Sequence, residues 1–128
     1  MAPEIIIGKG YGMNCDFWSL GIMLYEFVCG GVPFGEEEED PYAIYEKILE
    51  HKLFYPSFFD PATPAKALIE IFLDKTPSKR ILGSIHNLRE HPWFSSIDWA
   101  ALIRREMTPP YQASINDLSA EVEASLVR

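Results

Sequence analysis

A glycine-rich segment near the start of the chain is the first candidate for phosphate chemistry. Three isoleucines at residues 5–7 are followed by GKGYG at residues 8–12, which imitates a strand entering a phosphate-binding loop. Such loops work because bare backbone amides approach the phosphates. The full pattern needs a further glycine where the chain has Met13, and no GK[ST] sequence occurs. The sequence therefore does not favour nucleotide binding here.

Metal and nucleic-acid chemistry are also disfavoured. Cys15 and Cys29 have no CxxC or Cys/His ligand spacing, which indicates reduced core thiols of a cytosolic protein rather than a zinc site. The three histidines are not at ligand spacing either, which favours surface or capping roles. The net charge of −8 argues against a nucleic-acid surface but suits a partner that carries Arg or Lys. No signal peptide and no membrane span are predicted.

Carboxylates remain as candidates for binding chemistry. Glu26 lies late in an otherwise apolar stretch, and an acidic run follows at residues 36–40. A carboxylate binds a guanidinium through paired, charge-assisted hydrogen bonds. The alternatives are that Glu26 is a surface acid and that the run is a solvated loop.

The elements that position these acids are predicted to be helices, so the fold class is all-α. Eleven of the fifteen positions from Cys15 to Cys29 are apolar or aromatic, which predicts a buried helix over 14–29 that ends at Gly30-Gly31. Residues 1–13 are predicted to form a loop. Further helices are predicted over 41–50 (capped by Asp40), from Thr63 to 73, over 85–90, over 98–106, and in the tail after Ser114.

Several motifs follow one another in order over residues 1 to 112. They are Ala-Pro-Glu at 2–4, DFWSLG at 16–21, LYE at 24–26, Gly30 with Pro33-Phe34, IYEKI at 44–48, PSKR at 77–80 and HPWFSSIDW at 91–99. Together they resemble the C-terminal lobe of Ser/Thr protein kinases of the AGC class. The resemblance is nearest to the cyclic-nucleotide-dependent kinases, including the cGMP-dependent type of protists.

The resemblance implies structural roles for five residues. Glu4 is expected to form a buried ion pair with Arg80, although two exposed charges would be the interpretation without the resemblance. Asp16 matches the acid that holds the backbone of the catalytic loop, and ordinary capping at a helix start is its alternative. Trp18 and Gly21 are expected in core packing and close helix approach.

The resemblance also implies a substrate-docking role. Glu26 matches the acid that receives an arginine two residues before the phosphorylated Ser or Thr. Glu37 matches a further acidic position that meets more distant substrate arginines. The expected partner is therefore a basic, Arg-rich protein or peptide.

The motifs that bind ATP and Mg²⁺ in an intact kinase are not found. The chain has no GxGxxG, no VAIK-like lysine, no His-Arg-Asp and no Asp-Phe-Gly. We expect them upstream of Met1, so the chain is predicted to be a kinase fragment with no catalytic residues and no activity or cofactor of its own. Without the missing N-terminal half, we expect lower solubility or less cooperative melting.

The motifs divide the chain into two predicted segments. Residues 1–108 are predicted to be a partial protein kinase domain, with a C-terminal tail segment at 109–128. The predicted function is the substrate-docking and scaffold part of a cytoplasmic Ser/Thr kinase. The alternative is a non-catalytic helical interaction module with a kinase-lobe shape, and the sequence before Met1 discriminates the two.

Overall fold

The computed structural model describes residues 1–50 and 52–112, and these fall into two compact units that divide between Ser96 and Ile97. The first unit contains five α-helices and two 3-10 helices. They are α1 (Pro3–Ile6), α2 (Asn14–Cys29), α3 (Pro41–Glu50), α4 (Pro64–Phe72), a 3-10 helix at Pro77–Ile81, α5 (Ile85–Arg89) and a 3-10 helix at Pro92–Phe94. The second unit contains α6 (Trp99–Ile103). No strand occurs in the described ranges, so the all-α prediction is confirmed.

Helix ends follow the capping residues that the sequence offers. α2 ends at Gly30, whose φ of 82° is left-handed, and the Gly30 amide donates to the Glu26 carbonyl at 2.9 Å. The Thr63 hydroxyl accepts from the Ala65 amide at 3.1 Å before α4. Asp40 accepts from the Tyr42 amide at 3.0 Å before α3. The predicted bounds of α2 and α3 are confirmed.

Two local predictions are wrong, and one turn was not predicted. The supposed loop at the start contains α1, because Pro3 at the first helical position presets the backbone for one turn. Helix α6 stops at Ile103 rather than 106, because Arg105 adopts a left-handed φ of 60°. The 3-10 turn after Thr76 was not foreseen. The predicted tail helix and His51 lie outside the described residues.

The core of the first unit forms where α2 packs on α4. Trp18 is fully buried and stacks on Phe34, with ring centroids 5.8 Å apart. Gly21 permits the close approach of the two helices, because a Cβ there would lie 2.7 Å from Phe72 Cβ. The packing thus fixes α2 against α4 along its middle turns.

One side of α2 is not covered by the described residues. Leu20, Met23 and Phe27 are 44%, 48% and 77% exposed, although each is apolar. They border a cavity of about 210 Å³ that Phe72 and Trp93 also line. An apolar stripe of this kind is characteristic of a surface that contacts other polypeptide.

Candidate substrate-docking site

The charged groups from which the site is built lie near the two ends of α2. At its beginning, the Arg80 guanidinium meets the Glu4 carboxylate in a two-pronged pair, with Nη1 to Oε1 and Nη2 to Oε2 both at 2.8 Å. Arg80 is 0% exposed and Glu4 is 6% exposed. The structure therefore brings together two residues that lie 76 positions apart in sequence.

The remaining donors of Arg80 tie three elements together. Its Nη1 also donates to the Asn14 carbonyl at 3.0 Å, and its Nε donates to the Asp74 carbonyl at 2.8 Å. The guanidinium carbon lies 5.2 Å from the centre of the Trp18 ring. The hydrogen bond from Arg80 lowers the pKa of Glu4, against the opposing effect of burial, so the carboxylate stays charged. The pair links α1, α2 and the 3-10 helix at Pro77–Ile81.

Asp16 lies in the first turn of α2 and is exposed. Its carboxylate does not cap the helix, and the neighbouring Cys15 thiol donates weakly to it at 3.7 Å. The carboxylate thus remains open to a further hydrogen-bond donor. Its role as an anchor for a catalytic loop stays a prediction.

Glu26 lies in the last turn of α2, on the side exposed to solvent. Its carboxylate has no hydrogen-bond or ion-pair partner within residues 1–50 and 52–112. The adjacent Tyr25 is buried, and its hydroxyl donates to the Phe54 carbonyl, which fixes the last turns of α2 to the connector after α3. A rigid backbone therefore presents an unpaired carboxylate.

Glu36 and Glu37, in the acidic run after α2, are both exposed but have different neighbours. The Glu37 side chain is exposed and does not line a described cavity with Glu26. The Glu36 carboxylate instead packs over Gly31 and lines a cavity beside Tyr25. Sequence reasoning singled out Glu37 and missed Glu36, and the small residue Gly31 five positions earlier was the available signal.

The protein kinase domain family matches residues 1–94, which is most of the chain. This chain therefore belongs to the protein kinase domain family. It is 42% identical over 113 residues to a cGMP-dependent protein kinase of Eimeria tenella, covering 86% of this chain and 11% of that protein. It is 38% identical to a cGMP-dependent protein kinase of Toxoplasma gondii, covering 98% of this chain and 13% of the relative.

Further relatives extend the same class. A cAMP-dependent protein kinase catalytic subunit of Arthrobotrys oligospora is 37% identical, with 87% of this chain and 21% of the relative covered. The chain thus spans 11% to 21% of the length of these three relatives. The predicted resemblance to AGC-class Ser/Thr kinases is confirmed. No helix in the described part of the chain is long and apolar enough to cross a membrane.

Proposed function

We propose that this chain forms the substrate-docking and scaffold part of a Ser/Thr protein kinase. In the intact enzyme, a phosphoryl group passes from ATP to a Ser or Thr that lies near arginine residues. The observation that carries the proposal is the unpaired, exposed carboxylate of Glu26 at the end of a helix whose other end is held by a buried ion pair. We expect the intact kinase to act in the cytoplasm.

Glu26 is suited to receive an arginine for two physical reasons. Its carboxylate lacks a competing cation among the described residues, so a ligand guanidinium replaces water rather than an existing partner. The Tyr25–Phe54 hydrogen bond holds the backbone beneath it, so only the Glu26 side chain has to be ordered on binding. A two-pronged guanidinium–carboxylate pair would fix the position of a peptide relative to its phosphorylated residue. Glu37 is proposed to meet a more distant arginine of the same substrate.

The scaffold role belongs to residues at the start of α2. We propose that the Glu4–Arg80 pair fixes the approach of α1 to α2, since both partners are buried and neither charge is stable there alone. Asp16 is proposed to accept backbone hydrogen bonds from a catalytic loop. The apolar stripe at Leu20, Met23 and Phe27 is proposed to pack against the other half of the kinase domain.

ATP and Mg²⁺ are proposed as cofactors of the intact kinase, but the described residues do not fit them. No group of three or more His, Cys, Asp or Glu side chains in the described part could hold a metal ion. A Cβ added to Gly10 or Gly12 would meet no atom within 4 Å, so this segment forms no close cradle. We therefore assign no step of phosphoryl transfer to this chain and propose that it is inactive alone.

Fluorescence anisotropy with a labelled Arg-Arg-x-Ser peptide tests the docking role of Glu26. We expect Glu26→Gln to weaken binding by about 2- to 10-fold, the range of one exposed charge-assisted pair. The loss should vanish for a peptide with Ala in place of the arginine two residues before Ser. Glu46→Gln, which removes an exposed acid from α3, is the matched control. Equal losses in the Glu26 and Glu46 variants would show that only net charge matters.

A further inference from the structure

A cavity with apolar and basic lining residues lies beside the buried pair of Glu4 and Arg80. Its volume is about 400 Å³, and its lining comes from the start of the chain, the last turn of α3 and the turn that begins the 3-10 helix at Pro77–Ile81. Its apolar walls are formed by Pro3, Ile7, Leu49 and Pro77. This volume lies within the range of cavities that bind small molecules, so the cavity can accept a side chain of a ligand.

Two lysines, Lys9 and Lys75, supply the charge of this cavity, which we call the lysine cavity. Glu4 is the one carboxylate among the described residues that line it, and both Glu4 oxygens already accept hydrogen bonds from Arg80. The charge of Glu4 is therefore matched by a guanidinium outside the lining. The charged groups left for a ligand are two ammonium groups, which are hydrogen-bond donors only.

The buried pair also fixes the backbone at both lysines. The Lys9 amide donates to the Glu4 carbonyl at 3.0 Å. The Asp74 carbonyl, directly before Lys75, accepts from Arg80 Nε at 2.8 Å. Two lysines that lie far apart in sequence are thus held at one cavity by the residues that form the ion pair.

Both ammonium groups keep N–H donors for a ligand. Lys75 Nζ donates to the Leu49 carbonyl at the end of α3, which uses one of its three donors. The Lys9 ammonium has no hydrogen-bond or ion-pair partner within residues 1–50 and 52–112. Neither lysine forms an ion pair in this described part of the chain, so an anion that binds replaces water rather than an existing carboxylate.

The ligand must be an oxyanion that adjoins an apolar group. Carboxylates and phosphates accept the charge-assisted hydrogen bonds that lysine donates. A polyanion, such as a nucleic acid or an anionic membrane, is repelled by the net charge of −8. A single oxyanion instead senses the two lysines at contact, well inside the screening length of about 8 Å at physiological salt. The apolar walls suit the apolar neighbours of an acidic side chain in a polypeptide.

We propose that the lysine cavity binds an acidic side chain of a partner polypeptide, either a carboxylate or a phosphorylated hydroxyl. The oxyanion lies between the ammonium groups of Lys9 and Lys75, and an adjoining apolar side chain packs on Ile7 and Leu49. This site does not depend on the proposed role of Glu26, and its charge preference is the opposite one. A polypeptide with an acidic segment is therefore a second kind of partner for this chain.

Two-dimensional ¹H–¹⁵N NMR of the 128-residue chain tests the site. Three capped peptides, Leu-Glu-Leu, Leu-phosphoserine-Leu and the neutral Leu-Gln-Leu, are titrated at low salt. We expect the two charged peptides to shift the amide signals of Lys9, Gly10 and Thr76, and Leu-Gln-Leu to bind at least about 3-fold more weakly. Lys9→Met and Lys75→Met should each weaken binding of the charged peptides by about 2- to 10-fold, and Lys9→Arg should retain it.

The comparison of ligands identifies the source of the oxyanion. Tighter binding of the phosphoserine peptide supports a phosphorylated partner, and equal or tighter binding of Leu-Glu-Leu supports a carboxylate. Inorganic phosphate should bind more weakly than the phosphoserine peptide, because it leaves the apolar walls uncovered. Inorganic phosphate that binds as tightly as the peptide overturns the assignment of a polypeptide ligand.

Controls separate the lysine cavity from a general effect of charge. Lys47→Met removes an exposed lysine of α3 that does not line the cavity, and it should leave the affinities within about 2-fold. Equal losses for Lys47→Met and Lys9→Met, or equal affinity for the neutral and charged peptides, overturn the site. So do unshifted amide signals at about 10 mM peptide. Glu26→Gln should not change these affinities, so the two proposals can fail separately, and urea unfolding checks that each variant is folded.

Discussion

The buried pair between Glu4 and Arg80 is the feature whose loss should cost the chain most stability. Glu4→Gln keeps the size of the side chain but removes the counter-ion of a guanidinium that is 0% exposed. Breaking a buried ion pair from one side costs about 3–5 kcal/mol, because the remaining charge stays out of water. Domains of this size have total stabilities of about 5–15 kcal/mol, so a large fraction is at stake.

The hydrogen bonds of Glu4 and Arg80 predict which of two single substitutions, Glu4→Gln or Arg80→Met, costs more stability. In Glu4→Gln, Arg80 keeps its hydrogen bonds to the carbonyls of Asn14 and Asp74, so we expect a loss near 3 kcal/mol. In Arg80→Met, the Glu4 carboxylate and both carbonyls lose their donors, so we expect a loss near or above 5 kcal/mol. The double variant Glu4→Leu/Arg80→Met should lose less than the sum of the single losses, because no unpaired charge remains.

Urea unfolding at pH 7, followed by far-UV circular dichroism, measures these differences. Glu46→Gln, an exposed acid on α3, is the control and should change stability by less than about 0.5 kcal/mol. A Glu4→Gln variant as stable as this control would refute the reasoning. Strict additivity in the double variant would likewise show that the two side chains are not energetically coupled.

The same pair predicts a dependence on pH. The folded-state pKa of Glu4 is lowered, chiefly by the hydrogen bond from Arg80. The resulting stabilisation is complete above the unfolded pKa of about 4.3 and is lost as the pH falls through the lower folded pKa. Below about pH 4.3, the free energy of unfolding of Glu4→Gln should therefore fall less steeply with pH than that of the unmutated chain, whereas Glu46→Gln should not show this change.

Two further substitutions test the packing of α2. Gly21→Ala should lower the free energy of unfolding, measured in urea, by about 1–3 kcal/mol, because the new methyl group would lie 2.7 Å from Phe72 Cβ. The control Gly12→Ala meets no atom within 4 Å and should be close to neutral. Phe27→Gln should reduce self-association and the binding of a dye that reports exposed apolar surface, with little loss of stability, since Phe27 is 77% exposed. Phe72→Ala removes a buried ring and should lower the free energy of unfolding by about 3–5 kcal/mol. A large loss in Phe27→Gln would show that this face is buried in solution.

The longer helices were predictable because their signals are local. The apolar stretch of α2 and the left-handed Gly30 fix that helix from residues close in sequence, and Thr63 before Pro64 does the same for the start of α4. Helix α1 and the 3-10 turn at Pro77–Ile81 have four and five residues, too few for a hydrophobic period to show. Arg80, in that turn, binds residues far away in sequence, so the turn is stabilised by tertiary contacts that sequence patterning does not display.

The site was predictable only in part, for a related reason. The pairing of Glu4 with Arg80 followed from the resemblance to kinases, since nothing local links residues 76 positions apart. The acidic run at residues 36–40 looks uniform in sequence. The structure distinguishes its members, because Glu36 alone among them lines the cavity beside Tyr25.

The two ends of α2 have separable tasks. Its sixteen residues span about 24 Å, with the Arg80 contact to the Asn14 carbonyl at one end and Glu26 at the other. Gly21 lies between them at the close approach to α4, where an added Cβ would lie 2.7 Å from Phe72 Cβ. A change at the buried pair should therefore lower the stability of the whole unit and not shift the preference for arginine. A change at Glu26 should alter peptide affinity and leave unfolding unaffected, because exposed carboxylates contribute little to the fold.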